Sequence, residues 1–220
     1  MKRVVIIDIC GTLFDSNTTM DFLDFIFSDN KRYNKYKKIR KSLIIRAVNK
    51  TLLNCLHLDL IRKYGVYFLK GASKEEIIKM VDKFYDEFLR PRIIPQAWQV
   101  IDTYRNNDHY LLIVSATLDC IAEKVAQELN VNQFLASELS YTNNICNGKI
   151  SHDLLRAKVK TLNNKGILPP YEMTISDNKT DINLMAESKC CFALCKHGKE
   201  SFWEENLSKK QIKNYRIIKY

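Results

Sequence analysis

A chain of 220 residues, 46% apolar and 27% charged, has the composition of an ordinary globular protein, with room for one α/β domain and a smaller insertion. No apolar run approaches the roughly 18 residues of a membrane-spanning helix, and seven cysteines without a CxxC pair read as reduced thiols, which excludes a disulfide scaffold. The formal net charge of +10 favours anionic partners: phosphorylated substrates, an acidic membrane surface or nucleic acid, the last without any supporting motif.

The opening MKRVVIIDI has a basic start and a short apolar run, but Asp8 breaks the run too early for a secretory signal. The cytoplasm is therefore the expected location, with peripheral contact at the inner membrane face as an added expectation. Val4, Val5, Ile6 and Ile7 predict a strand buried on both faces. It ends at Asp8 and is followed by Cys10 and then Gly11-Thr12, where a tight turn exposes backbone N–H groups. A carboxylate at the carboxyl end of a central parallel strand sits where open α/β sheets place their chemistry.

From residue 16 to about 94 the alternation of strand and helix is interrupted. Residues 21–27 (DFLDFIF) predict one helix, and 33–56 a second with Tyr36, Ile39, Leu43 and Ala47 on one stripe. A third helix is expected over 58–69, and a fourth begins at Ser73, with Glu76 completing a capping box, and ends near Leu89. Nine Lys or Arg and no Asp or Glu lie from Lys31 to Lys50. That stretch reads either as a solvated helix face or as a surface for phosphate or an anionic membrane.

A helix over 97–104 leads to the buried strand YLLIV at 110–114, which delivers Ser115, Ala116 and Thr117 to a further helix through Ile121, Val125 and Leu129. A hydroxyl at such a junction suits a phosphate oxygen, and Thr117 also suits a helix cap. Residues 134–137 suggest a short strand, and 138–149, with Asn143-Asn144 and Asn147-Gly148, a hairpin or an irregular loop. Residues 151–162 read as a helix carrying Arg156, Lys158 and Lys160. The run 173–176 predicts a strand that delivers Asp177, with Asp181 four residues on at a helix start. Residues 190–194 and 215–218 predict the remaining strands. Cys191, Cys195 and His197 could be drawn as a metal cluster, but the surrounding run favours a buried strand in which cysteine is a small hydrophobe. His197 and Lys199 are expected at the rim of the site and His109 at the surface.

Four of these stretches, taken in order, resemble the motifs of the haloacid dehalogenase superfamily. They are Asp8 to Thr12, against the usual Asp-x-Asp-Gly-Thr; Ser115 after its strand; Lys158, followed four residues later by Leu162; and Asp177 with Asp181. Lys160 competes with Lys158 for the third position. The helical insertion is similar to the cap of a branch that includes phosphoserine phosphatase and phosphatidylglycerophosphate phosphatases, with Lys70-Gly71 and Pro95-Gln96-Ala97 matching the latter group. The resemblance implies an α/β fold: a Rossmann-like three-layer core with a parallel sheet, built from residues 1–15 and 95–220, and an inserted all-helical cap at 16–94.

It further implies a Mg²⁺-dependent phosphomonoesterase. Asp8 would be the nucleophile, with Lys158 and Asp181 beside it. Asp8, the Cys10 carbonyl and Asp177 would be metal ligands, and Gly11, Thr12, Ser115, Ala116 and Lys158 would hold the phosphate. Carboxylates brought so close need a cation among them, which is an independent argument for Mg²⁺. The substrate would be a phosphorylated small molecule or a lipid head group. Cys10 stands where the family carries its acid/base aspartate, so the chain is expected to be a slow phosphatase or, alternatively, a catalytically weak or inactive phosphate- or anionic-lipid-binding protein.

Overall fold

The computed structural model describes residues 3–220 except 106, 108 and 132. Strand β1 (Val4–Ile7) is followed by helices α1 (Thr18–Ile26), α2 (Lys31–Arg40), α3 (Leu43–Leu56), α4 (Leu60–Tyr67) and α5 (Lys74–Phe84). The last continues through a π turn at Tyr85–Leu89 and a 3₁₀ turn at Arg90–Arg92 into α6 (Pro95–Arg105). Then come β2 (Tyr110–Leu118), α7 (Asp119–Glu128), β3 (Gln133–Thr142), β4 (Ile145–His152) and α8 (Lys158–Asn164). The chain closes with β5 (Tyr171–Ser176), α9 (Ile182–Ala186), β6 (Ser188–Cys195), α10 (Glu200–Lys209) and β7 (Tyr215–Lys219).

The seven strands form one sheet in the order β4-β3-β2-β1-β5-β6-β7, parallel throughout except for the antiparallel β3–β4 pair. This is a Rossmann-type α/β fold. β1 is central because both of its faces are apolar: Val5 and Ile7 pack with one buried cluster, Ile6 with another against Leu112, Val114, Leu162 and Leu184. From β1 the chain passes first to β2 on one side and later to β5 on the other. The carboxyl ends of these three strands therefore meet at a crevice where the strand order reverses.

Among the described residues, those between β1 and β2 form helices and turns but no named strand. The expected helix over 33–56 is two helices that break at Lys41-Ser42. Its supposed stripe fails because Tyr36 faces inward, its hydroxyl donating to the Ile61 carbonyl at 2.6 Å, whereas Leu43 faces solvent. The expected helix over 151–162 begins only at Lys158, because 145–152 pairs with β3 instead. The β3–β4 turn is Asn143-Asn144, both at positive φ, as a tight hairpin requires. Helix α10 was not foreseen.

Among the contacts that tie the helices to the sheet, two involve α4. Gly148 of β4 lies against α4, where an added Cβ would fall 2.9 Å from the Tyr67 carbonyl oxygen, and its φ is +66°. Arg62 of α4 is buried and donates to Asp153 Oδ1 at 2.6 Å and to the Ala116 carbonyl. Burial works to raise the Asp153 carboxyl, but the Arg62 guanidinium together with hydrogen bonds from the Leu155 N–H and the Ser137 hydroxyl outweighs it and holds the group below its ordinary value. Arg62→Ala should cost about 2 kcal/mol in urea unfolding at neutral pH, since it removes the cationic partner of a half-buried carboxylate and one of the donors to a carbonyl. A depressed folded pKa stabilises above the unfolded value and is lost as pH falls through the folded one. The deficit should therefore shrink as pH drops below about 4.

Candidate active site

Asp8 follows β1 directly and is 4% exposed. Its backbone N–H continues the β5 ladder to the Ile175 carbonyl at 3.1 Å, which fixes where the carboxylate stands. Lys158 Nζ lies 3.0 Å from Asp8 Oδ1 and 2.5 Å from Asp181 Oδ2. Lys158, rather than Lys160, is the lysine that faces Asp8, because it is the first residue of α8 and points inward. Burial works against its ammonium charge, but the carboxylates of Asp8 and Asp181 overcome that and hold its pKa well above the ordinary lysine value. Ser176 Oγ sits 2.7 Å from Asp181 Oδ2 and 3.3 Å from Asp8 Oδ2, so one hydroxyl bridges the two acids.

Asp177 is held from the other side of the crevice. Its N–H donates to Thr12 Oγ1 at 2.9 Å, and that hydroxyl donates on to Asp177 Oδ1 at 3.3 Å. Gly11, at φ +65°, makes the approach possible: a Cβ there would lie 2.1 Å from Asp177 Oδ2. Burial and then the Asp8 charge push the Asp177 carboxyl up to about 7. Burial likewise raises Asp181 despite its ammonium partner.

Two carboxylates thus share one ammonium, and a third, Asp177, stands beside them without an ion pair among the described residues. The donor chemistry fits a hard divalent cation in that Asp8 and Asp177 are carboxylates; the Cys10 main-chain oxygen would have to complete the set. Among the described residues no group of three or more His, Cys, Asp or Glu side chains forms a metal-holding cluster, Cys191, Cys195 and His197 included. A site at Asp8 would therefore depend on that main-chain oxygen and on the phosphate itself.

Cys10 turns its thiol towards the helices. Its Sγ lies 2.8 Å from Thr18 Oγ1, which lies 2.6 Å from Thr117 Oγ1. Burial and the neighbouring Asp8 charge push the thiol up to about 11, so it stays protonated at neutral pH. A group so placed is no base, and as an acid it is weak.

Other expected phosphate contacts are arranged differently. The Gly11 N–H donates to the Ser16 carbonyl and the Thr12 N–H to the Ile9 carbonyl, both at 3.2 Å, so neither points unpaired into the crevice. The Thr12 hydroxyl is fully buried and committed to Asp177. Ser115 does not end its strand. β2 runs on to Leu118, and four steps from Val114 to Leu118 match two from Leu135 to Ser137, a bulge that carries Ser115, Ala116 and Thr117. Ser115 is buried and its Oγ accepts from the Thr117 N–H at 3.4 Å; the Ala116 carbonyl is taken by Arg62 and Ser137. Thr117 pairs with Thr18 and caps no helix, because α7 starts two residues later.

Above these residues opens a cavity of about 940 Å³, lined on the sheet side by Asp8, Cys10, Gly11, Ala116 and Asp177 and on the helical side by Arg40, Lys41, Arg46 and Arg62. Its rim carries Lys196, ion-paired with Asp15 at 2.8 Å, where His197 and Lys199 were expected. His109 is half-buried against the Tyr104 ring. Sequence reasoning missed Arg62, Ser176, Thr18 and Tyr220, whose hydroxyl donates to the Gly11 carbonyl at 3.1 Å. Ser176 had a signal, a polar residue ending a buried strand beside Asp177. Arg62 and Tyr220 had none, since only the fold brings them near.

Three comparisons bear on this arrangement. Residues 5–186 match the family model of haloacid dehalogenase-like hydrolases. Among solved structures, a protein of unknown function from Bordetella pertussis Tohama I is 16% identical, with a TM-score of 0.76 and 99% of each chain covered. A substrate-bound phosphoserine phosphatase complex is 16% identical, with a TM-score of 0.59 over 94% of this chain and 90% of its own. A phosphoserine phosphohydrolase-like protein from Francisella tularensis subsp. tularensis SCHU S4 is 14% identical, with a TM-score of 0.58 over 98% and 95%. None of the curated proteins matches the chain. The likenesses among solved structures establish the fold, and the match over most of the length, together with the crevice at Asp8, establishes the kinship: the chain belongs to the haloacid dehalogenase-like hydrolases.

Proposed function

We infer that this hydrolase is a phosphomonoesterase in which Asp8 is the nucleophile. The observation that carries this reading is the Lys158 ammonium held between Asp8 and Asp181, which fixes the Asp8 carboxylate at the cavity. The carboxylate attacks phosphorus, the bond from phosphorus to the leaving oxygen breaks, and an aspartyl-phosphate forms that water then hydrolyses. Ser176 and Asp181 position Lys158. Ser115 and the backbone of Ala116 are assigned to the phosphate oxygens; Gly11 and Thr12 can join them only if the loop yields its internal hydrogen bonds.

Asp8, the Cys10 carbonyl and Asp177 would hold Mg²⁺, whose charge would offset that of the phosphate. The domain reading that goes with this is a core of residues 1–15 and 95–220 with a cap at 16–94 closing over the cavity.

Cys10 limits the rate. A protonated, hydroxyl-bonded thiol neither protonates the leaving oxygen well nor activates water, and general acid–base catalysis is typically worth 10²–10⁴-fold. The same observation supports the second reading, a binding protein without turnover. For the substrate, the basic helical side of the cavity supports a phosphomonoester with an anionic or membrane-associated leaving group. Phosphatidylglycerophosphate comes first, and a soluble ester such as phosphoserine or a sugar phosphate second. The basic run from Lys31 to Lys50 supports peripheral attraction to an anionic membrane from the cytoplasmic side.

Turnover of a phosphomonoester panel should rise by roughly 10²–10⁴ in Cys10→Asp, whose carboxylate inherits the Thr18 hydroxyl, and should vanish in Asp8→Asn. No turnover by wild type or Cys10→Asp, with Mg²⁺ present and the fold intact, would replace the phosphatase reading with the binding one. In calorimetry, Mg²⁺ should bind wild type and not Asp177→Asn; equal binding by both would refute the metal site.

A further inference from the structure

Helix α3 is anomalous. None of its fourteen residues is buried, and Leu43 and Ile44 are 79% and 74% exposed, with Ala47, Val48 and Cys55 on the same outward arc. An exposed apolar row on a helix needs a cover. Arg46 and Lys50 flank it, and six of the ten residues of α2 beside it are Lys or Arg. Of the nine cations between residues 31 and 50, Lys37 and Arg40 pair with Asp24; among the described residues the other seven have no acidic partner within 4.0 Å.

Below this row, α2, α3 and α4 enclose a groove of about 800 Å³. Its floor is apolar and aromatic, with Tyr36, Ile39, Ile45, Leu60, Tyr64 and Phe68, and its edge carries Arg32, Lys35 and Lys70. Arg40 and Ile61 line both this groove and the cavity over Asp8, so the two spaces are neighbours.

We propose that this face docks on an anionic lipid bilayer, with the outer row of α3 in the interface, and that the groove takes the hydrocarbon of an amphiphilic phosphomonoester whose phosphate reaches Asp8. The charge selects the partner: a cationic rim around an apolar row suits acidic head groups above acyl chains. Tyr64 and Tyr67, half-exposed at the groove, are amphipathic rings of the kind that settle at such an interface. The groove's part in this rests on the phosphate-binding reading of the site; the surface does not.

The surface is tested by co-sedimentation with vesicles of phosphatidylcholine, alone or mixed with phosphatidylglycerol. Wild type should pellet with the mixed vesicles only, more at low salt, and Ile44→Asp with Val48→Asp should weaken this about tenfold or more while keeping the thermal midpoint. A wild type that stays in the supernatant, pelleting unchanged in the variant, or a dimer in solution that the variant dissolves would overturn it, the last by showing that a second copy covers the row.

The groove is tested by calorimetry with a series of n-alkylphosphonates, which bind without being hydrolysed. Affinity should climb about threefold per methylene in wild type, and the climb should be lost in Ile39→Asp with Tyr64→Asp. Affinity independent of chain length would sink the groove while leaving the phosphate site standing. Absence of binding even by methylphosphonate would sink the phosphate reading and the groove together, with sedimentation still judging the surface.

Discussion

A single ammonium placed among three carboxylates governs how this molecule is built around its crevice. Lys158 is buried, and an unpaired lysine there would be driven towards neutrality; Asp8 and Asp181 hold it charged. The exchange is mutual, because the same ammonium gives two buried acids a partner. Neither acid could stand where it does unless β1 and β5 were neighbours, and Ser176 Oγ, at the end of β5, lies against the same two acids. Asp177 is left out of this pairing. Burial first, and then the neighbouring Asp8 charge, raise its pKa.

Beside that charged set, Cys10 belongs to a different network. Its thiol meets the Thr18 hydroxyl at the start of α1, which in turn meets the Thr117 hydroxyl in the β2 bulge. An aspartate at this position would find the Thr18 hydroxyl as a donor, so the pocket retains a partner for a carboxylate. What the thiol cannot supply is a group that gives and takes a proton near neutral pH. The helical side is tied down by the Arg62–Asp153 pair and by the contact at Gly148, and its basic residues complete the cavity from above.

Much of the architecture was legible from local pattern. The β-branched run at Val4, the run at Leu111 and that at Met173 declared buried parallel strands, and Ser73 with Glu76 declared a helix start that the structure keeps as a capping box. Where reading failed, a long-range partner had overridden local preference. The stretch 151–162 carries no strong strand signal, yet 145–152 pairs with β3 because an Asn-Asn turn folds it back. The stripe drawn through Tyr36, Ile39, Leu43 and Ala47 assumed one continuous helix, and the break at Lys41-Ser42 turns its second half outward.

For the site, the sequence by itself determined which chemistry-bearing residues exist and in what order: Asp8 after its strand, Cys10 in the turn, Asp177 after its own strand, and Lys158 or Lys160 between. It also settled that position 10 carries sulfur, whose consequences for proton transfer need no coordinates to state. Only the tertiary structure decided between the two lysines, because inward direction depends on where α8 begins. It alone showed that the Thr12 hydroxyl is spent on Asp177 and that Ser115 lies in a bulge, since hydrogen bonds between distant segments have no local signature. The basic run looked unopposed along the chain, yet Lys37 and Arg40 meet Asp24 in space, because charge pairs by distance rather than by sequence.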